Sequence, residues 1–197
     1  MTVRSKLSAT IRLASVAVVS LALFGCATVK MPAPTTASAD NLSTLRGANL
    51  GPAKAGAFVL APGKPAAMDT TLDGLRGSSI EPANGSFAKT LREELVVDLK
   101  AAGLYDEASN TVITGQLTDS QVDAAIGTGT GRLGAHFVVT RDGKSVYDKT
   151  LTVDAKWESS FIGAVALPAA INQYTAFYKT LAGKLFADPD FQKALAK

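Results

Sequence analysis

Cysteine, histidine and tryptophan each occur once in these 197 residues. A single cysteine excludes an internal disulfide, so the fold must rest on packing. One histidine with no cysteine or carboxylate cluster beside it excludes the usual zinc ligand sets. The first apolar stretch, Leu13–Phe24, "LASVAVVSLALF", has 12 residues. A helix crossing hydrocarbon of ~30 Å needs about 20, so a plain transmembrane anchor is the weaker reading. A lasting charge excess is missing too. The formal charge of +3 and the pI near 9.0 come from Arg4, Lys6 and Arg12; without them 17 basic residues face 17 acidic ones. Nucleic-acid binding needs a basic footprint, and beyond residue 25 there is none overall.

What the first residues do contain is order. Met1–Arg12 carries three cations and no anion, and the charge-free run follows. That is the charged and apolar succession of a secretory signal peptide. It ends in Leu23-Phe24-Gly25-Cys26, where the lone cysteine stands as the apolar run stops. The tetrad resembles a bacterial lipobox, with Phe24 larger than the residue usual at its place. The resemblance implies removal of residues 1–25 and acylation of Cys26, by palmitate or similar chains, as the membrane contact. Ala27, rather than Asp, follows the cysteine; in Gram-negative lipoproteins this implies the outer membrane, with the domain facing the periplasm. Residues 26–56, rich in Ala, Thr, Ser, Pro and Gly without apolar periodicity, read as the lipidated cysteine and a flexible tether.

Residues 57–197 read as one globular domain. Ala57–Ala61 is a short apolar strand. Pro62–Gly85 is long for a structureless loop, and an extra element is expected near "TTLDGLRGSSI". Ser86 is a fitting N-cap for a helix with Phe87, Leu91, Leu95 and Leu99 along one side, ended by Gly103. Thr111–Leu117 is a strand, followed by a polar, glycine-rich link. Arg132–Thr140 and Ser145–Glu158 alternate about Asp142-Gly143, a hairpin turn pair. Pro168 opens a long helix, and Asp188-Pro189 a short one. The expected fold is α+β: a two-layer sandwich of about four strands with two helices on one face.

Catalytic patterns are few. Gly129-Thr130-Gly131-Arg132-Leu133-Gly134 spells the dinucleotide fingerprint, but a strand follows it where the chemistry needs a helix N-terminus. Ser86-Phe87-Ala88-Lys89 spells the Ser-x-x-Lys of penicillin-binding proteins without its companion elements. An envelope hydrolase using Ser86 is therefore the third reading. His136 points away from the expected core face and has no serine to serve. No catalytic residue, metal or cofactor is implied. One stretch stands out: Phe161–Leu167, "FIGAVAL", is apolar and uncharged. It covers one end of the core or, if exposed, contacts a membrane or partner through Phe161, Ile162, Val165 and Leu167.

Beyond the lipobox, "GRLGAHFVVTRDGKSVYDK" followed by "WESSFIGAVALP" is similar to small uncharacterised bacterial lipoproteins. The element order resembles accessory lipoproteins of envelope transport systems, among them the lipopolysaccharide-assembly lipoprotein and auxiliary lipoproteins of ABC transporters. That likeness is one of fold and transfers little function. The leading reading is a non-enzymatic accessory subunit with an envelope protein partner, in a transport or assembly complex. A carrier or sensor of a small apolar or lipid ligand is the alternative.

Overall fold

The computed structural model describes residues 28–197; residues 1–25, Cys26 and Ala27 lie outside them. In chain order the elements are β1 (Thr28–Met31), α1 (Ala39–Gly47), β2 (Lys54–Leu60), α2 (Ala67–Thr70), β3 (Leu72–Leu75), β4 (Ser78–Pro82), α3 (Phe87–Ala102), β5 (Thr111–Asp123), β6 (Gly127–Arg141), β7 (Lys144–Ser159), α4 (Gly163–Phe186) and α5 (Pro189–Leu195). Four strands form the main sheet in the order β2-β5-β6-β7, with β2 parallel to β5 and the rest antiparallel. Helices α3 and α4 pack against its apolar face and against each other. The two-layer α+β arrangement read from the sequence is the one observed.

Helix α3 forms where its stripe and caps place it. Ser86 Oγ accepts the Lys89 N–H at 3.1 Å, and Gly103, at φ 74°, closes the far end with the Leu104 N–H on the Leu99 carbonyl. Phe87, Leu91, Leu95 and Leu99 are all buried. Across the sheet, Leu133, Ala135, Phe137 and Val139 of β6 face them, with Tyr147 and Val153 of β7 on the same side. Asp142 and Gly143 take φ of 52° and 78°, the paired positive values a two-residue hairpin turn requires.

Three expectations need correction. The first is the flexible tether: residues 28–56 are folded. Strand β1 lies parallel to β4, Thr28 opposite Ser79 and Met31 opposite Pro82, in a second sheet ordered β1-β4-β3. Met31, Leu45 and Leu50 are buried in the common core. Their burial repays the ordering of a segment whose composition alone promises little. The expected extra element within Pro62–Gly85 is the β3–β4 hairpin of this sheet, preceded by α2.

The second concerns the glycine-rich link. It is strand, because β5 runs to Asp123 and β6 starts at Gly127. Aromatic rings pack against the bare backbone there. A Cβ on Gly129 would stand 2.3 Å from the Trp157 indole, and one on Gly131 would stand 2.6 Å from the Phe177 ring. These glycines give room to rings, and they stand inside a strand with no helix N-terminus after them. The third is the start of α4, which is Gly163, with Pro168 inside the helix rather than at its head. Residues 163–167 are thus helix instead of a covering loop.

Candidate interaction surfaces

The catalytic candidates resolve into structural roles. Ser86 is 7% exposed. Its Oγ donates to Asp69 Oδ2 at 2.8 Å while capping α3, and Asp69 Oδ1 takes the Ala88 N–H at 2.7 Å. The serine and the aspartate together satisfy the first turn of the helix, and the Lys89 side chain is out in solvent. Ser86→Ala is expected to cost about 1–2 kcal/mol of stability, read as a lower urea midpoint; a midpoint equal to wild type sinks this assignment. His136 lies on the outer face of the sheet with Nε2 2.6 Å from Asp148 Oδ1. No group of three His, Cys, Asp or Glu side chains suited to a metal exists among the described residues. The layer where a carried apolar ligand would lie is filled by buried Phe58, Phe137, Leu95 and Leu117.

Two surfaces remain. The first is an apolar corner at one end of the sheet. Phe161, Ile162 and Val165 are 78%, 60% and 57% exposed, and Ile126 beside them is 63% exposed. Leu167 turns inward and packs on the core, so the outward set is Phe161, Ile162 and Val165 with Ile126 in place of Leu167. Helix geometry explains the split: Ile162 and Val165 share one side of the first turn, while Ala166 and Ala170 face the sheet.

The corner is held by Arg76, in the β3–β4 turn. Its guanidinium donates to the carbonyls of Ala124 (2.6 Å), Ser160 (2.6 Å) and Phe161 (3.1 Å) and to Ser159 Oγ (3.2 Å). One planar fork thereby fixes the β5–β6 link and the β7–α4 junction together. A groove of about 560 Å³ runs between Ile126, Phe161 and Val165.

The second surface is the free edge of β7. The other edge of the main sheet, β2, is partly closed: Arg92 donates to the carbonyls of Ala55 and Gly56 at 2.9 Å each. Along the 16 residues of β7 no strand lies on the outer side among the described residues. Only at Thr152 does a cation intervene, Lys184 Nζ reaching its outward carbonyl at 2.8 Å. Outward groups recur every second residue, so Asp154, Lys156 and Glu158 present theirs in register with Thr152.

A third feature is internal. Glu94 and Asp98, one turn apart on α3, are both buried. Asp98 accepts Asn41 Nδ2 at 2.6 Å and the Ser38 N–H at 3.0 Å. Glu94 Oε1 has no partner. Burial, then the neighbouring Asp98, pushes the Glu94 carboxyl up to about 7, against the pull of Lys179. Asp98 pins α1 to α3, while Glu94 lines a small pocket of about 130 Å³ with Met31, Thr90, Tyr178 and Lys179.

No protein-family model matches the sequence, and no curated protein is significantly similar to it. Similarity appears at the level of structure. A Xanthomonas campestris protein of the DUF330 family aligns with 16% identity over 81% of this chain and 94% of its own, at a TM-score of 0.50. A Caulobacter crescentus protein aligns with 14% identity over 79% and 94%, at 0.42. A minor lipoprotein from Acinetobacter baumannii aligns with 14% identity over 71% and 92%, at 0.41. The fold is shared with the Xanthomonas protein, and identity this low transfers nothing further.

Proposed function

We propose that this chain is a bacterial envelope lipoprotein, anchored in the outer membrane by acyl chains on Cys26 and facing the periplasm. Its domain acts as a non-enzymatic accessory subunit that receives an extended segment of a partner protein along the outer edge of β7. The anchor reading rests on the charged start, the 12-residue apolar run and the cysteine where that run ends. The single observation that carries the binding role is the open β7 edge. Natural sheets blunt long edges because their unpaired N–H and C=O groups template another strand. Here β2 is partly covered by Arg92, whereas β7 offers the outward groups of alternate residues along a strand of 16 with one lysine contact. Strand addition uses such backbone groups for affinity and the alternate side chains for selection.

The test places a photoreactive residue at Thr150 in cells and compares the crosslinked products with those of the same chain carrying Asp154→Pro. Proline removes one outward N–H and is tolerated on edge strands. A specific envelope protein captured at Thr150 and lost with Asp154→Pro, while the thermal transition is retained, supports the reading. Capture that ignores the proline, or that moves to Val59 on β2, refutes it.

A further inference from the structure

We infer that the apolar corner of Ile126, Phe161, Ile162 and Val165 is a membrane seat, which enters the boundary between lipid headgroups and acyl chains and fixes how the domain stands on the bilayer. This rests on the acylation of Cys26 proposed above, and goes beyond it by assigning an orientation.

Thr28 pairs with Ser79, next to the β3–β4 turn. From that turn Arg76 binds the Phe161 carbonyl directly. Strand spacing and side-chain reach therefore put Thr28 within about 25 Å of Phe161. Cys26 is two residues before Thr28, and two residues span at most ~7 Å. No coil of 30 residues separates the lipidation site from the folded body, since β1 starts at Thr28 and continues into a buried Met31. An anchor on so short a lead holds this end of the molecule at the bilayer, and this is the end that carries the apolar corner. The opposite end, at the Asp142-Gly143 turn, is 15 strand residues away along β6.

The chemistry of the corner fits lipid. Phe161–Leu167 contains no charged residue, and Phe161, Ile162 and Val165 project from the β7–α4 junction beside Ile126 of the β5–β6 link. Their backbone is clamped by Arg76, so they project without first having to be ordered. Side chains of this kind at the edge of a body are what interfacial insertion uses. Their neutrality makes the seating independent of salt, unlike attachment through a basic surface.

The experiment uses the full chain purified from membranes with its lipid and placed in vesicles of phosphatidylethanolamine and phosphatidylglycerol. An environment-sensitive fluorophore is attached at Ile162→Cys, at Ile126→Cys or, at the far turn, at Ser145→Cys. Quenching by nitroxide-labelled lipids is then compared, and mass spectrometry reads the state of Cys26. Quenching several-fold stronger at 162 and 126 than at 145, unchanged by added salt, is the expected result. Acylated Cys26 with all three positions equally unquenched overturns the seat and leaves the anchor standing. A probe at 162 that is dry yet unquenched by lipid means a protein covers the corner, and also overturns it. An unmodified Cys26 in a chain that does not associate with vesicles removes the anchor and the seat together.

Discussion

Deleting residues 28–47 is expected to abolish the cooperative thermal transition of the domain, or to lower its midpoint by more than 10 °C on the usual scale of about 2–4 °C per kcal/mol for domains of roughly 150–250 residues. A tether would be removable without loss. Here the deletion takes Met31 and Leu45 out of the core, each worth about 2–3 kcal/mol as buried area. It also strips Asp98 of the Asn41 amide and the Ser38 N–H, leaving a buried carboxyl short of partners at a further cost of about 1–3 kcal/mol. The sum is of the order of the whole stability of an ordinary domain, about 5–15 kcal/mol. Circular dichroism of a soluble form carrying Cys26→Ser, with and without the deletion, measures it directly. A narrower variant guards against trivial misfolding: Leu45→Ala alone should cost about 2–5 kcal/mol. Unchanged melting in both would mean that the segment does not dock.

The second large effect is a dependence on pH. Glu94 is held near 7 in the folded chain against an ordinary 4.5, so the folded state binds its proton more tightly than the unfolded state does. Stability is therefore unpenalised below pH 4.5, falls between 4.5 and about 7, and stays reduced above. A difference of that size corresponds to roughly 3 kcal/mol. Asp98 is raised as well, by burial, and adds a slope of the same sign. Glu94→Gln removes the larger contribution. It should leave stability near pH 4 unchanged and raise it by about 2–3 kcal/mol at pH 8. Urea unfolding of the two proteins at three pH values decides the matter, and curves that stay parallel from pH 4 to pH 8 would sink the assignment.

Local signals were readable. Helix α3 announces itself by apolar residues every fourth position between a serine and a glycine, and the β6–β7 hairpin by alternation about Asp142-Gly143. Both patterns are complete within one element. The misread parts depend on distant partners. Strand β1 has four residues and one buried side chain, Met31. Of the two residues that α1 buries, one is polar: Asn41, whose value lies in Asp98 on α3 and Lys179 on α4. Nothing within "ADNLSTLRG" carries that information. The glycines at 129 and 131 look like flexibility until the rings of Trp157 and Phe177 are set on them.

The surfaces divide in the same way. The uncharged run from Phe161 is visible in the sequence, and three of its four nominated side chains are outward. Leu167 was misplaced because the helix starts before Pro168 and turns it toward the core. Ile126 gave no signal, being a lone apolar residue among glycines and alanines. Arg76 gave none either, since three of its four acceptors are carbonyls, 48 to 85 positions away.

The two ends of the described chain are joined. Leu50 bridges to Ala196, the Gly51 N–H reaches the Leu195 carbonyl, the Lys197 N–H reaches the Asn49 carbonyl, and Asn41 donates to Lys179. In time rather than space, this sets an order of events. Residues 28–50 emerge first; β1 finds β4 once residue 82 has followed and α1 finds α3 soon after, but Asn49, Leu50 and Gly51 bind residues 195–197, which emerge last. Until then the stretch from Asn49 to Gly51 lacks its partners, and the cost of closing so long a loop delays it further. Closure of the domain thus waits for its last residues, however early the first sheet forms.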